Sequence, residues 1–72
     1  MKKVVITGGE QGLGLALSLI LINEGYEVFS LDVVKGPVVK GKTFLKADVS
    51  DERQVVNALK RIGSVDVLIN NA

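Results

Sequence analysis

The sequence predicts an α/β domain in which a parallel sheet is covered by helices on both faces. Two observations carry this. Short apolar, β-branched runs alternate with helix-like segments in the order β-α-β-β-α-β. These runs carry little polar alternation, as expected of strands buried on both faces. Val, Ile and Leu also fill 26 of the 72 positions, which excludes a disordered chain.

Each element has its own signal. Val4-Val5-Ile6-Thr7 ends at Gly8-Gly9 and reads as a buried strand. Leu13 to Glu24 reads as a helix, opened by a glycine-rich turn and closed at Gly25. Leucines, isoleucines and Ala16 cover almost its whole circumference, so it is expected to be buried on several sides by a larger structure or a partner. Glu27 to Asp32 is the second strand, with Val28, Phe29 and Leu31 apolar. Residues 33–42 lead to a third strand, Lys42 to Ala47, and their Gly36-Pro37 and Gly41 argue against a full helix. A parallel crossover usually needs about a dozen residues, so a hairpin between these two strands is the competing topology. Asp51 to Ile62 is the second helix. Ser50 is its expected N-cap, Asp51 and Glu52 suit its positive end, and Lys60 and Arg61 its negative end. Val55, Val56, Leu59 and Ile62 mark its buried face, and Gly63 ends it. Val65 to Ile69 is the fourth strand.

Composition excludes several function classes. The chain holds no Cys and no His, which removes disulfides, the usual zinc sites, a Cys nucleophile and a His general base. A net charge of +1 gives no bulk attraction to nucleic acid or anionic lipid. The longest apolar stretch, Leu13 to Ile22, falls far short of the roughly 20 residues that span a bilayer. Lys2 and Lys3 imitate the start of a signal peptide, but Glu10, Gln11 and the glycines interrupt the apolar run after them. At 72 residues the chain allows one small domain at most, and it is expected to be cytoplasmic with no nucleic-acid, membrane or metal partner.

The chemistry sits where strands end. Thr7-Gly8-Gly9-Glu10-Gln11-Gly12-Leu13-Gly14, of pattern TGxxxGxG, joins the first strand to the first helix. Glycines there allow torsions other residues resist and leave room for a phosphate, and the helix N-terminus offers free N–H groups to a pyrophosphate. A tight strand-to-helix turn explains the same glycines without a ligand. No Gly-Lys-Ser/Thr follows, so this is not a P-loop. Asp32 ends the second strand 18 residues after Gly14. Dinucleotide-binding folds place an acidic residue about 20 residues past the turn, on the ribose 2′-OH. A carboxylate there repels a 2′-phosphate and favours NAD over NADP. Asp48-Val49-Ser50-Asp51 follows the third strand and Asn70-Asn71-Ala72 the fourth, so all four segments fall at the carboxyl ends of strands.

TGGEQGLG at 7–14, Asp32, DVSD at 48–51 and NNA at 70–72 together resemble the short-chain dehydrogenase/reductase family in its classical form. The match spans nearly the whole chain and implies that residues 1–72 are the N-terminal part of a single dinucleotide-binding domain. The resemblance implies a Rossmann fold with strand order 3-2-1-4 and helices on opposite faces. It implies that Gly8, Gln11, Gly12, Leu13 and Gly14 wrap the cofactor diphosphate and nearby ribose. It places Asp32 on the adenosine ribose, Asp48 and Val49 around the adenine, and Asn70 and Ala72 beside the cofactor, with Asn71 partly structural. The implied reaction is hydride transfer between nicotinamide and a secondary alcohol or carbonyl.

The sequence also departs from the family pattern. Members are much longer, and their NNAG ends in a Gly that is absent here. The family's catalytic Asn, Ser and Tyr-x-x-x-Lys pair are missing, and Tyr26 lies away from the cofactor edge. No catalytic residue is therefore assigned within the chain. The alternative function is a dinucleotide-binding fragment or scaffold without activity of its own. Gln11 and Leu15 are neutral where NADP-using members often carry a base, in agreement with Asp32. Lys35, Lys40, Lys42 and Lys46 sit in an acid-free stretch, read as a solvated basic loop, with Lys35 close enough to Asp32 to allow some NADP tolerance. The fourth strand is expected to be an apolar edge that the remainder of a domain or another chain covers, and the 72 residues are not expected to be a stable monomer. Full-length members are expected to form homo-oligomers.

Overall fold

Val4, Val5 and Ile6 are each no more than 1% exposed, which makes the first strand the centre of the sheet. The computed structural model describes residues 1–72 and gives β1 (Lys3–Thr7), α1 (Gly12–Asn23), β2 (Glu27–Asp32), β3 (Lys42–Lys46), α2 (Glu52–Ile62) and β4 (Val67–Asn70). The strands form one sheet in the order β3-β2-β1-β4, and every neighbouring pair is parallel. A hairpin between β2 and β3 is therefore excluded. The nine residues 33–41 make the parallel connection without forming a helix or strand of their own.

Successive side chains of a strand point to opposite faces. Val4, Ile6 and Val28 pack on one face with Leu17, Leu21 and Ile22 of α1. Val5, Leu31 and Leu45 pack on the other with Ala58 and Ile62 of α2. The two helices thus cover opposite faces. Each fully buried Ile or Leu contributes about 1.5–3 kcal/mol, so these two thin layers hold the fold.

Two sequence expectations need correction. Asp51, not Ser50, caps α2: its carboxylate accepts from the N–H groups of Arg53 and Gln54. Ser50 turns back to Asp48 instead. Val56 is exposed, whereas Ala58 is buried, because the core-facing stripe runs Val55, Ala58, Leu59, Ile62 at helical spacing. In α1 only Gly14 and Ser18 are buried, and Leu13, Leu19 and Ile20 are exposed. Small residues face the turn because the helix lies close to it. The Ser18 hydroxyl donates to the Gly14 carbonyl at 2.8 Å, a bond within the helix that leaves no polar group stranded there. No helix is long and apolar enough to cross a membrane.

Candidate functional site

The sheet runs outward from β1 in both directions, so the chain switches sides between β1 and β4. In open α/β sheets ligands bind at such a point, beyond the carboxyl ends of the strands. A groove of about 200 Å³ lies along that edge. Gly8, Asp32, Asp48, Val49 and Ala72 line it, together with Leu31, Val33 and Ala47. Asn70 lines an adjoining hollow that shares Leu31 and Val49. Gln11, Gly12 and Leu13 are exposed on the turn leading into α1, and Gly14 is buried behind them. The candidates, drawn from four separate segments, therefore come together at one end of the sheet.

The glycines of the turn have distinct reasons. Gly8 and Gly12 have φ of +70° and +56°, a region that side chains with a Cβ resist. Gly14 touches the turn itself, where a Cβ would overlap the Gly8 carbonyl. Beside Gly12 the position of a Cβ is open space. The N–H groups of Gly12, Leu13 and Gly14 make no hydrogen bond within the chain, and no side chain caps α1. By contrast, α2 is capped by Asp51 and carries Glu52 in its first turn, while the first turn of α1 holds no acid. Free N–H groups, a positive helix end and an open approach at Gly12 fit a phosphate group.

Thr7 organises the other wall. Its hydroxyl donates to Asn70 Oδ1 at 3.0 Å and accepts from the N–H groups of Asn71 and Ala72 at 3.0 and 3.2 Å. That uses the full capacity of a hydroxyl. The Asn71 amide donates to the Gly8 carbonyl at 3.2 Å, tying the last residues to the turn. At the far wall, Asp32 Oδ1 accepts from Val33 N–H at 2.8 Å. Asp48 Oδ1 accepts from the Ser50 hydroxyl at 2.6 Å and from its N–H at 2.9 Å, and these bonds hold its carboxyl below the usual range. Tyr26 packs beneath α1 at the opposite end of β2, away from the groove.

Sequence patterning does not single out Glu10, yet this residue is only 1% exposed. Its carboxylate pairs with the Lys42 ammonium at 2.7 Å and accepts from Gly36 N–H at 2.9 Å. Burial is the largest single influence on this carboxyl and opposes ionisation. Lys42, Gly36 and the nearby Ser30 hydroxyl together outweigh it and lower the pKa. Ser30 Oγ is buried and lies close enough to act on the carboxylate, although it completes no hydrogen bond. Lys42 is therefore a buried ion-pair partner and not part of a solvated basic loop. Its register explains the reach: it pairs with Val28, which points to the α1 face of the sheet. The sequence signal for the pair is a single acid in a glycine turn and, separately, lysines with no acid among them.

Comparison with known proteins agrees with this geometry. The sequence profile described as short chain dehydrogenase matches residues 2–72. An uncharacterized oxidoreductase of Thermotoga maritima is 34% identical over 85 residues, covering 99% of this chain and 33% of that protein. Ligand-free aldohexose dehydrogenase of Thermoplasma acidophilum superposes with a TM-score of 0.87 at 32% identity, over 99% of this chain and 29% of that one. A short chain dehydrogenase of Leptospira borgpetersenii with bound NAD+ superposes with a TM-score of 0.83 at 25% identity, over 96% and 30% of the two chains. The chain thus spans about a third of the length of the proteins it matches. With the turn, the parallel sheet and the profile match all in register, the chain belongs to the short-chain dehydrogenase family.

Proposed function

We propose that this chain is the nicotinamide-dinucleotide-binding part of a short-chain oxidoreductase, with NAD preferred over NADP. The observation that carries the reading is the uncapped N-terminus of α1, which opens beside a groove walled by Asp32 and Asp48. In this reading Gly8, Gln11, Gly12, Leu13 and Gly14 hold the diphosphate. Asp32 accepts from the adenosine ribose, Asp48 and Val49 flank the adenine, and Asn70 and Ala72 lie beside the cofactor. When bound, the cofactor supplies hydride exchange with an alcohol or carbonyl carbon. The residues of this chain bind and orient it: amide dipoles at α1 balance the phosphate charge, and Asp32 rejects a 2′-phosphate by repulsion.

The relative with bound NAD+ supports a nicotinamide dinucleotide, and Asp32 with neutral Gln11 and Leu15 supports NAD. A cytoplasmic setting and a homo-oligomeric full-length assembly belong to the same reading. Calorimetric titration with NAD and NADP tests it. NAD is expected to bind more tightly, and Asp32→Ala is expected to narrow the gap. Equal affinity of the parent chain for both, unmoved by Asp32→Ala, would refute the role of Asp32. Binding of neither cofactor would refute the reading as a whole.

A further inference from the structure

We infer that Glu10 is a positioning residue for the cofactor groove: its carboxylate holds the chain after Asp32 against the phosphate turn, so that both walls engage one ligand together. This rests on the cofactor reading above. The phosphate turn and the ribose wall belong to segments far apart in sequence. Residues 33–41 leave Asp32 without regular structure. Between Val34 and Lys40, the hydrogen bond from Gly36 N–H to Glu10 is the one that ties this stretch to a distant part of the chain. Gly36 also lies so close to the Glu10 carbonyl that a Cβ there would overlap it. Glu10 itself sits in the turn between Gly8 and Gly12. The link therefore runs from the phosphate turn to the segment that begins at Asp32.

Stability alone does not account for a charged pair at this place. An apolar pair of similar volume usually stabilises a fold as well as a buried ion pair, or better. What an apolar side chain does not do is accept the Gly36 N–H. Lys42 neutralises the carboxylate, which lets Glu10 remain ionised and buried while its other oxygen serves Gly36. The pair thus fixes one hydrogen bond between the turn that holds Glu10 and the segment that follows Asp32.

The test uses two double variants of the full chain, with adenosine and ADP as probes. Adenosine engages the ribose wall alone, whereas ADP also engages the phosphate turn. E10M/K42M replaces the ion pair with apolar side chains and removes the acceptor for Gly36. E10Q/K42M removes both charges but keeps that acceptor. Dissociation constants are measured by calorimetry or NMR titration, with thermal unfolding of each variant alongside. The ratio of the two constants is insensitive to the folded fraction, so it separates positioning from stability. E10M/K42M is expected to melt at or above the parent. It is expected to bind ADP about tenfold more weakly, within the range of coupling between linked sites, with adenosine unchanged. E10Q/K42M is expected to keep the parent's ratio. An unmoved ratio in E10M/K42M overturns the inference, as does an equal loss in both variants. Unfolding of E10M/K42M makes the pair a stability element and overturns it too. A parent chain that binds neither ADP nor NAD overturns the cofactor reading itself, a result distinct from a parent that binds both with a ratio no variant moves.

Discussion

Thr7 and Asn70 are joined side chain to side chain, Oγ1 to Oδ1 at 3.0 Å, at the carboxyl ends of β1 and β4. The same hydroxyl accepts from the N–H groups of Asn71 and Ala72. One side chain therefore fixes the wall that lies nearest the turn. Thr7→Val keeps the shape and removes all three bonds. Stranding partly buried polar groups costs about 1–3 kcal/mol, and a loss in that range is expected in chemical denaturation. Thr7→Ser retains the hydroxyl and is expected to recover most of it. A Thr7→Val chain of parental stability beside a destabilised Thr7→Ser chain would mean that the methyl group, rather than the hydrogen bonds, matters.

Gly14 touches the carbonyl of Gly8, and there is no room for a methyl group between them. Gly14→Ala is expected to push α1 off the turn. Overpacking of this kind costs about 1–3 kcal/mol. NAD affinity is expected to fall with it, since the free N–H groups move with the helix. Gly12→Ala makes a useful contrast, because its Cβ enters open space and its penalty comes from a φ of +56°. Melting temperatures and NAD titrations of the two variants check this. A Gly14→Ala chain with parental stability and affinity would contradict the close packing.

The ion pair of Glu10 sets an acid limit on stability. Its carboxyl titrates below the ordinary value of 4.5. A depressed carboxyl pKa adds stability that is fully present above the unfolded-state value and lost as pH falls through the folded-state value. Stability is thus expected to hold from neutral pH to about that unfolded-state value and to decline below it. Asp48 titrates low as well and contributes to the same decline. The part due to Glu10 is the difference between the parent and E10Q/K42M in denaturation curves collected from about pH 7 down to about pH 3, a window that brackets the titration. Parallel curves would show that the pair carries no acid sensitivity.

The outer edge of the sheet is apolar. β4 pairs with β1 on one side only, and Val67 and Leu68 are 41% and 59% exposed. Unpaired apolar edges invite pairing with another chain. Sedimentation is expected to show association that grows with concentration. Leu68→Lys is expected to reduce it, as charges do at natural edges. A concentration-independent monomer with a sharp melting transition would refute the expectation.

The fold was legible because its signals are local. Glycine turns, β-branched runs and the capped, amphipathic α2 each declare themselves over a few residues, and they set the order of elements. Asp32, Asp48 and Asn70 were legible as site candidates for a related reason: parallel strands bring their carboxyl ends to one edge whatever the details of packing. Errors of detail came from competition between near-equal neighbours. Ser50 and Asp51 are both good caps, and only the path of the chain decides that Asp51 meets the free N–H groups of α2.

The sequence by itself determined the alternating pattern, the glycine-rich turn and the acid that ends β2, because these depend on torsional preference and on periodicity along the chain. Tertiary structure decided two things. It chose a parallel β2–β3 pair over a hairpin, which a connection of only nine residues left open. It also made partners of Glu10 and Lys42, which are 32 residues apart. No local pattern encodes such a pair. It forms because the β2–β3 register turns Lys42 to the α1 face of the sheet, where the turn holding Glu10 closes over it and excludes water.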